Sequence, residues 1–212
     1  MSTPLQNYAY EDSESAHTHS YLFPTLLKIL AERPVGPIFE LGCGNGTTAA
    51  MLAKRGYKVA GVDPSISGME IAQRQYPECR LELGSSEEDL RARFGTFDTL
   101  LSLEVAEHVY SPRRYARVIG QLLEPGGIAI ISTPYHSYLK NLALAASGKM
   151  ESHFTALWEG GHIKFWSRST IATLFDTAGF DEISFYRVGR VPVLAKSMIS
   201  VFRKRDAAPA NG

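Results

Sequence analysis

Cysteine is scarce: Cys43 and Cys79 are the two in 212 residues. A disulfide framework is therefore not expected, and a reducing, cytoplasmic setting is. The opening residues carry no basic segment followed by an apolar run, so no signal peptide is read there. No apolar run approaches the ~20 residues that cross a bilayer; the longest candidate runs only from Leu142 to Ser147. Charge of neither sign is in excess, with 22 Lys and Arg against 22 Asp and Glu, so no global field draws the chain to nucleic acid. Two local basic clusters (Arg113, Arg114, Arg117 and Arg203, Lys204, Arg205) read as a solvated helix face and a tail. Internal repeats are missing as well.

What is there is a chain of 44% hydrophobic and 21% charged residues, enough for one domain with a sizeable core. Its organising stretch is Ile38-Phe39-Glu40-Leu41-Gly42-Cys43-Gly44-Asn45-Gly46-Thr47. Apolar residues run into three alternate glycines, and an amphipathic run follows, which predicts a buried strand, a tight turn and a helix. Glycines there permit positive φ and let backbone N–H groups approach a ligand. The spacing G-x-G-x-G differs from the dinucleotide fingerprint, and no Lys-Ser/Thr pair follows as in phosphate loops. A second strand, Tyr57 to Asp63, ends in an acid 23 residues beyond Glu40. A carboxylate at that point suits the paired hydroxyls of a ribose.

Strands and helices then alternate. Helices are expected over 15–32, 47–55, 67–75, from Ser86 onward, over 112–123 and over 166–178 with Ser167 as cap. Further strands are expected at Arg80–Leu83, Phe97–Leu103 and Gly127–Thr133, with antiparallel strands at Phe180–Val188 and Ala195–Phe202. Such units predict a parallel sheet covered on both faces. Residues 134–166 interrupt the rhythm. Their length and their aromatics (Tyr135, Tyr138, Phe154, Trp158, Phe165, Trp166) predict a lid over a flat, weakly charged ligand, with peripheral membrane contact as the alternative use.

Glu-Leu-Gly-Cys-Gly-Asn-Gly at 40–46, Gly-Val-Asp-Pro-Ser at 61–65 and Leu-Glu-Pro-Gly-Gly-Ile-Ala-Ile-Ile-Ser-Thr-Pro at 123–134 together resemble the motifs of class I S-adenosylmethionine-dependent methyltransferases. The resemblance implies a Rossmann-like, doubly wound, mostly parallel seven-stranded sheet with an antiparallel last strand and helices on both faces. It divides the chain into an N-terminal segment and cap helix (1–33), the methyltransferase domain (34–203, with 134–166 as lid) and a tail (204–212). It also implies S-adenosyl-L-methionine as cofactor. Glu40, Gly42, Cys43, Gly44, Asn45 and Gly46 would line its methionine end. Asp63, with Pro64 and Ser65, would take the ribose; Ser85 and Ser86 stand where adenine is expected, and Leu103 and Glu104 border the cleft.

Glu104-Val105-Ala106-Glu107-His108 follows the fourth strand and resembles a motif of the ubiquinone-biosynthesis O-methyltransferases. That likeness implies a small, flat, aromatic hydroxylated acceptor, with Glu104, Glu107 and His108 as candidate ligands for Mg2+ or another divalent cation. Bracing of the strand-to-helix corner is the plainer use of the same residues. His162, in Gly160-Gly161-His162, is preferred over His136 as general base, and Glu104 and His108 are further catalytic candidates. His17, His19, Tyr21 and Phe23 are expected on the near wall of the cleft. A binding module without catalysis is the second class of function; the complete set Glu40, Gly42, Gly44 and Asp63 argues against it. N- or C-methylation remains an alternative to O-methylation, and the residues leave the oligomeric state open.

Overall fold

The computed structural model describes residues 18–206 apart from 155 and 159; His17 and the extreme ends therefore lie outside the described residues. Helix α1 (His19–Ala31) precedes the repeating units β1 (Ile38–Leu41), α2 (Thr47–Ala53), β2 (Val59–Asp63), α3 (Ile66–Gln75), β3 (Arg80–Leu83), α4 (Leu90–Phe94), β4 (Phe97–Leu103), α5 (Pro112–Leu122) and β5 (Leu123–Pro134). Two lid helices, α6 (Tyr138–Ala146) and α7 (Met150–Phe154), come next. Helix α8 (Arg168–Thr177) and strands β6 (Phe180–Val188) and β7 (Ser197–Lys204) complete the chain.

The strands form one seven-stranded sheet in the order β3-β2-β1-β4-β5-β7-β6. β7 lies antiparallel between β5 and β6, while β1 to β5 pair in parallel. Period-two alternation divides the strand side chains between two cores. Phe39, Leu100, Ala129 and Ile131 pack with Tyr115, Ile119 and Phe175 under α5 and α8. Ile38, Leu101, Ile128 and Ile130 face the other way, onto Leu22, Leu26, Ala49 and Leu52 of α1 and α2. The strand order reverses between β1 and β4, which opens a crevice at their carboxyl ends.

Among the element ends that differ from expectation, three have a visible cause. α4 starts at Leu90 behind an Asp89 cap, not at Ser86. The acids before it are drawn into the loop, Glu88 by Arg93 and by the Ser85 N–H, Glu87 by Arg114. β5 begins at Leu123, where Phe97 pairs with it ahead of a register shift. β7 extends to Lys204, and Arg205 beyond it pairs with Asp176 and Asp181.

The lid is held differently from the rest. α6 buries none of its residues; Lys140 ties it down by donating to the carbonyls of Tyr135 (2.8 Å) and Ala195 (3.3 Å). Among the described residues no helix is long and apolar enough to cross a membrane.

Gly42 has φ +87°, and a Cβ there would stand 2.3 Å from Val105 Cγ2. A side chain at this position meets both backbone strain and a clash. Gly42→Ala is expected to lower unfolding stability by more than ~2 kcal/mol, read from denaturant midpoints. Adding Val105→Ala should recover the steric part alone; full recovery would show that the left-handed backbone costs nothing.

Candidate active site

The glycine turn is built from both sides. Gly42 and Cys43 donate their N–H groups to the Val62 carbonyl at 2.8 and 3.1 Å, which fixes the turn to the end of β2. Gly44 N–H donates to Asp63 Oδ2 at 2.9 Å, and Ser65 N–H to Asp63 Oδ1 at 2.8 Å. Asp63 thus joins the turn to the start of α3, whose cap is the Ser65 hydroxyl accepting from Gly68 N–H at 3.1 Å. Each Asp63 oxygen retains a second lone pair for a ligand. Burial pushes this carboxyl above its ordinary range, and the two N–H bonds oppose that shift.

A cleft of about 470 Å3 opens at these strand ends, within the ~300–1,000 Å3 usual for small-molecule sites. Glu40, Gly42, Cys43, Gly44 and Asn45 line one end; Asp63, Pro64, Ser85 and Ser86 line the next. Gly46 and Ser65, both expected in the site, are not among its lining residues. Gly46 starts α2 in the left-handed conformation, and Ser65 is fully buried in its capping role. Glu40 is 2% exposed; Thr48 supplies a hydrogen bond to its carboxyl, and Oε2 has no protein partner. Burial pushes it up to about 8. His19 and Tyr21 of α1 close the near wall, whereas Phe23 stacks behind His19 at 4.3 Å.

The opposite wall is the turn after β4. Glu104 has φ 56°, the one positive value at a non-glycine among the described residues. Its oxygens accept from the hydroxyls of Ser132 (2.7 Å) and Ser197 (3.0 Å), and burial raises its carboxyl to about 7. Glu107 is 1% exposed and neither carboxyl oxygen completes a well-formed hydrogen bond. Burial and the neighbouring Glu104 push it well above the usual carboxylate range. His108 Nδ1 donates to the Gly160 carbonyl at 2.8 Å, which leaves Nε2 the acceptor in the neutral ring.

His162 arrives from 54 positions further along the chain because its loop is stitched to this turn. Ile163 and Lys164 N–H both donate to the Glu107 carbonyl at 2.9 Å, and Trp166 Nε1–H donates to Ala106 O at 2.9 Å. His162 Nε2 then stands 3.9 Å from Glu107 Oε1. Burial, with His108 adding, lowers its imidazole to about 4. Glu107, His108 and His162 offer ligand atoms within 4.8 Å of one another. The expected set was Glu104, Glu107 and His108; here Glu104 accepts from two serine hydroxyls, and His162 is the third residue that brings a ligand atom within this distance.

His136 is not among the residues that line this cleft. β5 delivers Pro134 to the cleft, but the next residues pass over its rim. His136 N–H donates to Trp166 O, and its ring packs against Phe165 (5.3 Å) and His153 (5.6 Å), beside a separate hollow with Arg168. Lys196, Ser197 and Thr48 line the main cleft without having been singled out for it, and Trp158 lines it as one of the lid aromatics. Thr48 lies one residue beyond the glycine stretch that ends at Thr47. Lys196 and Ser197 had no local signal, since only the pairing of Pro134 with Ser197 brings them there.

A parallel sheet with this crevice, a glycine turn and a terminal acid define a nucleoside-binding α/β protein. The model of the methyltransferase domain matches residues 15–184, and the chain belongs to that family, whose cofactor is S-adenosylmethionine. It is 36% identical over 115 residues to the ubiquinone biosynthesis O-methyltransferase of Caulobacter sp. (strain K31), covering 52% of this chain and 45% of that protein. The chain thus spans about half the length of that curated relative. Among solved structures, PH0226 of Pyrococcus horikoshii OT3 superposes with a TM-score of 0.69 at 18% identity, covering 92% of this chain and 95% of that one. The 1,6-didemethyltoxoflavin-N1-methyltransferase of Burkholderia thailandensis, solved with its substrate and S-adenosylhomocysteine, gives 0.62 at 22%, covering 86% and 76%. These likenesses establish the fold.

A raised carboxyl weakens the folded state as pH climbs. Unfolded, Glu40 ionises near pH 4.5; folded, it stays protonated until about 8, so stability falls across that window. Glu40→Gln is expected to flatten part of the decline in melting temperature between pH 5 and pH 8. Parallel wild-type and variant curves would show that Glu40 does not titrate there.

Proposed function

We propose that this chain transfers a methyl group from S-adenosylmethionine to a hydroxyl of a small, flat acceptor. The observation that carries the reading is one cleft with the glycine turn and Asp63 on one side and the Glu107–His162 pair on the other. The residues fit the cofactor: Asp63 keeps lone pairs for two ribose hydroxyls, and Glu40 Oε2 is buried with no protein partner. Bound there, S-adenosylmethionine supplies an electrophilic methyl on a sulfonium. The chain's own work is positioning and proton transfer. Val105, Val109, Pro134 and Trp158 give the acceptor side an apolar wall.

His162 is the base in this proposal. Its lowered value keeps it unprotonated at neutral pH, ready to take a hydroxyl proton at Nε2. The imidazolium so formed would lie beside Glu107 and favour ionisation of that carboxyl. N-methylation is supported as the second reading by the Burkholderia thailandensis neighbour, an N1-methyltransferase.

Glu107, His108 and His162 could alternatively hold a divalent cation. A cation would occupy the lone pair that His162 needs as base, so the two roles exclude each other. Turnover of a catechol-type acceptor that survives chelation assigns the base role; loss restored by Mg2+ assigns the cation. His162→Ala is expected to cut turnover at least ~100-fold while S-adenosylhomocysteine affinity, by titration calorimetry, stays within ~2-fold. Unchanged turnover removes His162 from the chemistry.

A further inference from the structure

The cleft carries opposite charge at its two ends. Its acids, Glu40, Asp63, Glu104 and Glu107, stand on or just after β1, β2 and β4. Lys196 is the one lysine or arginine among the described residues that line it. It enters beside Ser197, the first residue of β7, which pairs with Pro134 at the end of β5. From β2 to β7 is four strand steps along the sheet, which at ~4.8 Å each puts Lys196 roughly 19 Å from Asp63. The Glu107–His162 pair lies between them, beyond the end of β4.

The ammonium is held in place by its surroundings. Lys196 N–H donates to Val188 O at 2.9 Å, and its carbonyl accepts from Tyr135 N–H at 3.0 Å. Its stem runs over Gly189, where an added Cβ would stand 2.9 Å from Lys196 Cβ. Nζ lies 5.2 Å from the centre of the Tyr21 ring, itself a lining residue. Two further cations gather at the same turn. Lys140 donates to the carbonyl of Ala195, and burial followed by the Arg190 charge lowers its ammonium, against an opposing pull from Glu104. Like charges gathered at one end of a cavity repel, and a bound anion relieves that repulsion. Glu104, the acid that Ser197 joins to this wall, gives its oxygens to two serine hydroxyls.

We propose that Lys196 is a specificity residue that receives a carboxylate on the methyl acceptor, so that the substrate is a hydroxylated aromatic acid and not a neutral phenol. The inference rests on the methyl-transfer reading and deepens it. One edge of the ring presents a hydroxyl toward His162, and the other presents an anion toward Lys196. The apolar wall of Val105, Val109 and Trp158 suits the ring between them. A carboxylate loses solvation on entering such a site, and an ammonium fixed in advance offsets that loss. The two ends also sort ligands by sign: the sulfonium is drawn to the acids, the acceptor's anion to the cations.

The test titrates two rings into the full chain saturated with S-adenosylhomocysteine: 3,4-dihydroxybenzoate and its neutral amide, 3,4-dihydroxybenzamide. The wild type is expected to bind the acid at least ~10-fold more tightly, a preference that shrinks as salt rises. Lys196→Met keeps the stem and removes the charge. It should weaken the acid ~10–100-fold, the worth of a charge-assisted hydrogen bond, and leave the amide within ~2-fold. Lys196→Arg should restore part of the preference. Equal affinity for acid and amide, or equal loss of both in Lys196→Met, overturns the proposal. So does a loss of S-adenosylhomocysteine affinity of ~10-fold or more in that variant, which would give the ammonium to the cofactor's own carboxylate. Should Lys196→Met not fold, the wild-type pair decides, and a preference under ~10-fold overturns the proposal. Wild-type protein that binds S-adenosylhomocysteine and neither ring overturns it too, whereas protein that does not bind S-adenosylhomocysteine sinks the methyl-transfer reading beneath it.

Discussion

The Asp63 carboxylate, shared between Gly44 N–H and Ser65 N–H, is the contact on which the site depends. It fastens the end of β2 to the turn after β1 and to the start of α3. Without it, two loops from adjacent strands would each carry an unmet N–H. Because these bonds use one lone pair on each oxygen, the same group can brace the protein and face a ligand. The brace is therefore also a lining side chain of the cleft, and a substitution there alters both.

Across the cleft, burial governs. Four acids, Glu40, Asp63, Glu104 and Glu107, approach one cavity, and each has its carboxyl raised by loss of solvent. Ionising all four with nothing to neutralise them would be costly. The serines at 132 and 197 quiet Glu104 by hydrogen bonding, while Glu107 has no such hydroxyl completing a bond. That difference makes Glu107, and not Glu104, the acid that interacts with His162. The loop carrying His162 is held by backbone bonds to the Glu107 carbonyl and by the Trp166 indole on the Ala106 carbonyl, so its position is not set by the His162 side chain.

Much of this was legible in residue order because it is local. The apolar run into Gly42, Gly44 and Gly46 and the acid closing Tyr57–Asp63 encode strand, turn and crevice within short windows. Ser167 was legible as a cap for the same reason, and a full capping box is found there. What escaped was long-range. Ser197 reaches Glu104 across 93 positions, and no window of sequence contains both. The acids at 87–89 looked like a helix's first turn, yet Arg93 and Arg114 claim two of them for the loop. His136 follows a strand that enters the cleft, and one further step of chain carries it past the rim.

The lid is joined to the body in two unlike ways. Its base, residues 160–166, is knit into the floor by main-chain bonds and the Trp166 indole, whereas α6 touches down through the Lys140 ammonium on two carbonyls and Asn141 on His136. Since α6 contributes no buried side chain, its sequence is almost free of the demands of folding. Evolution can rewrite that outer helix for a new partner or compound at little thermodynamic penalty, while the histidine beneath stays put.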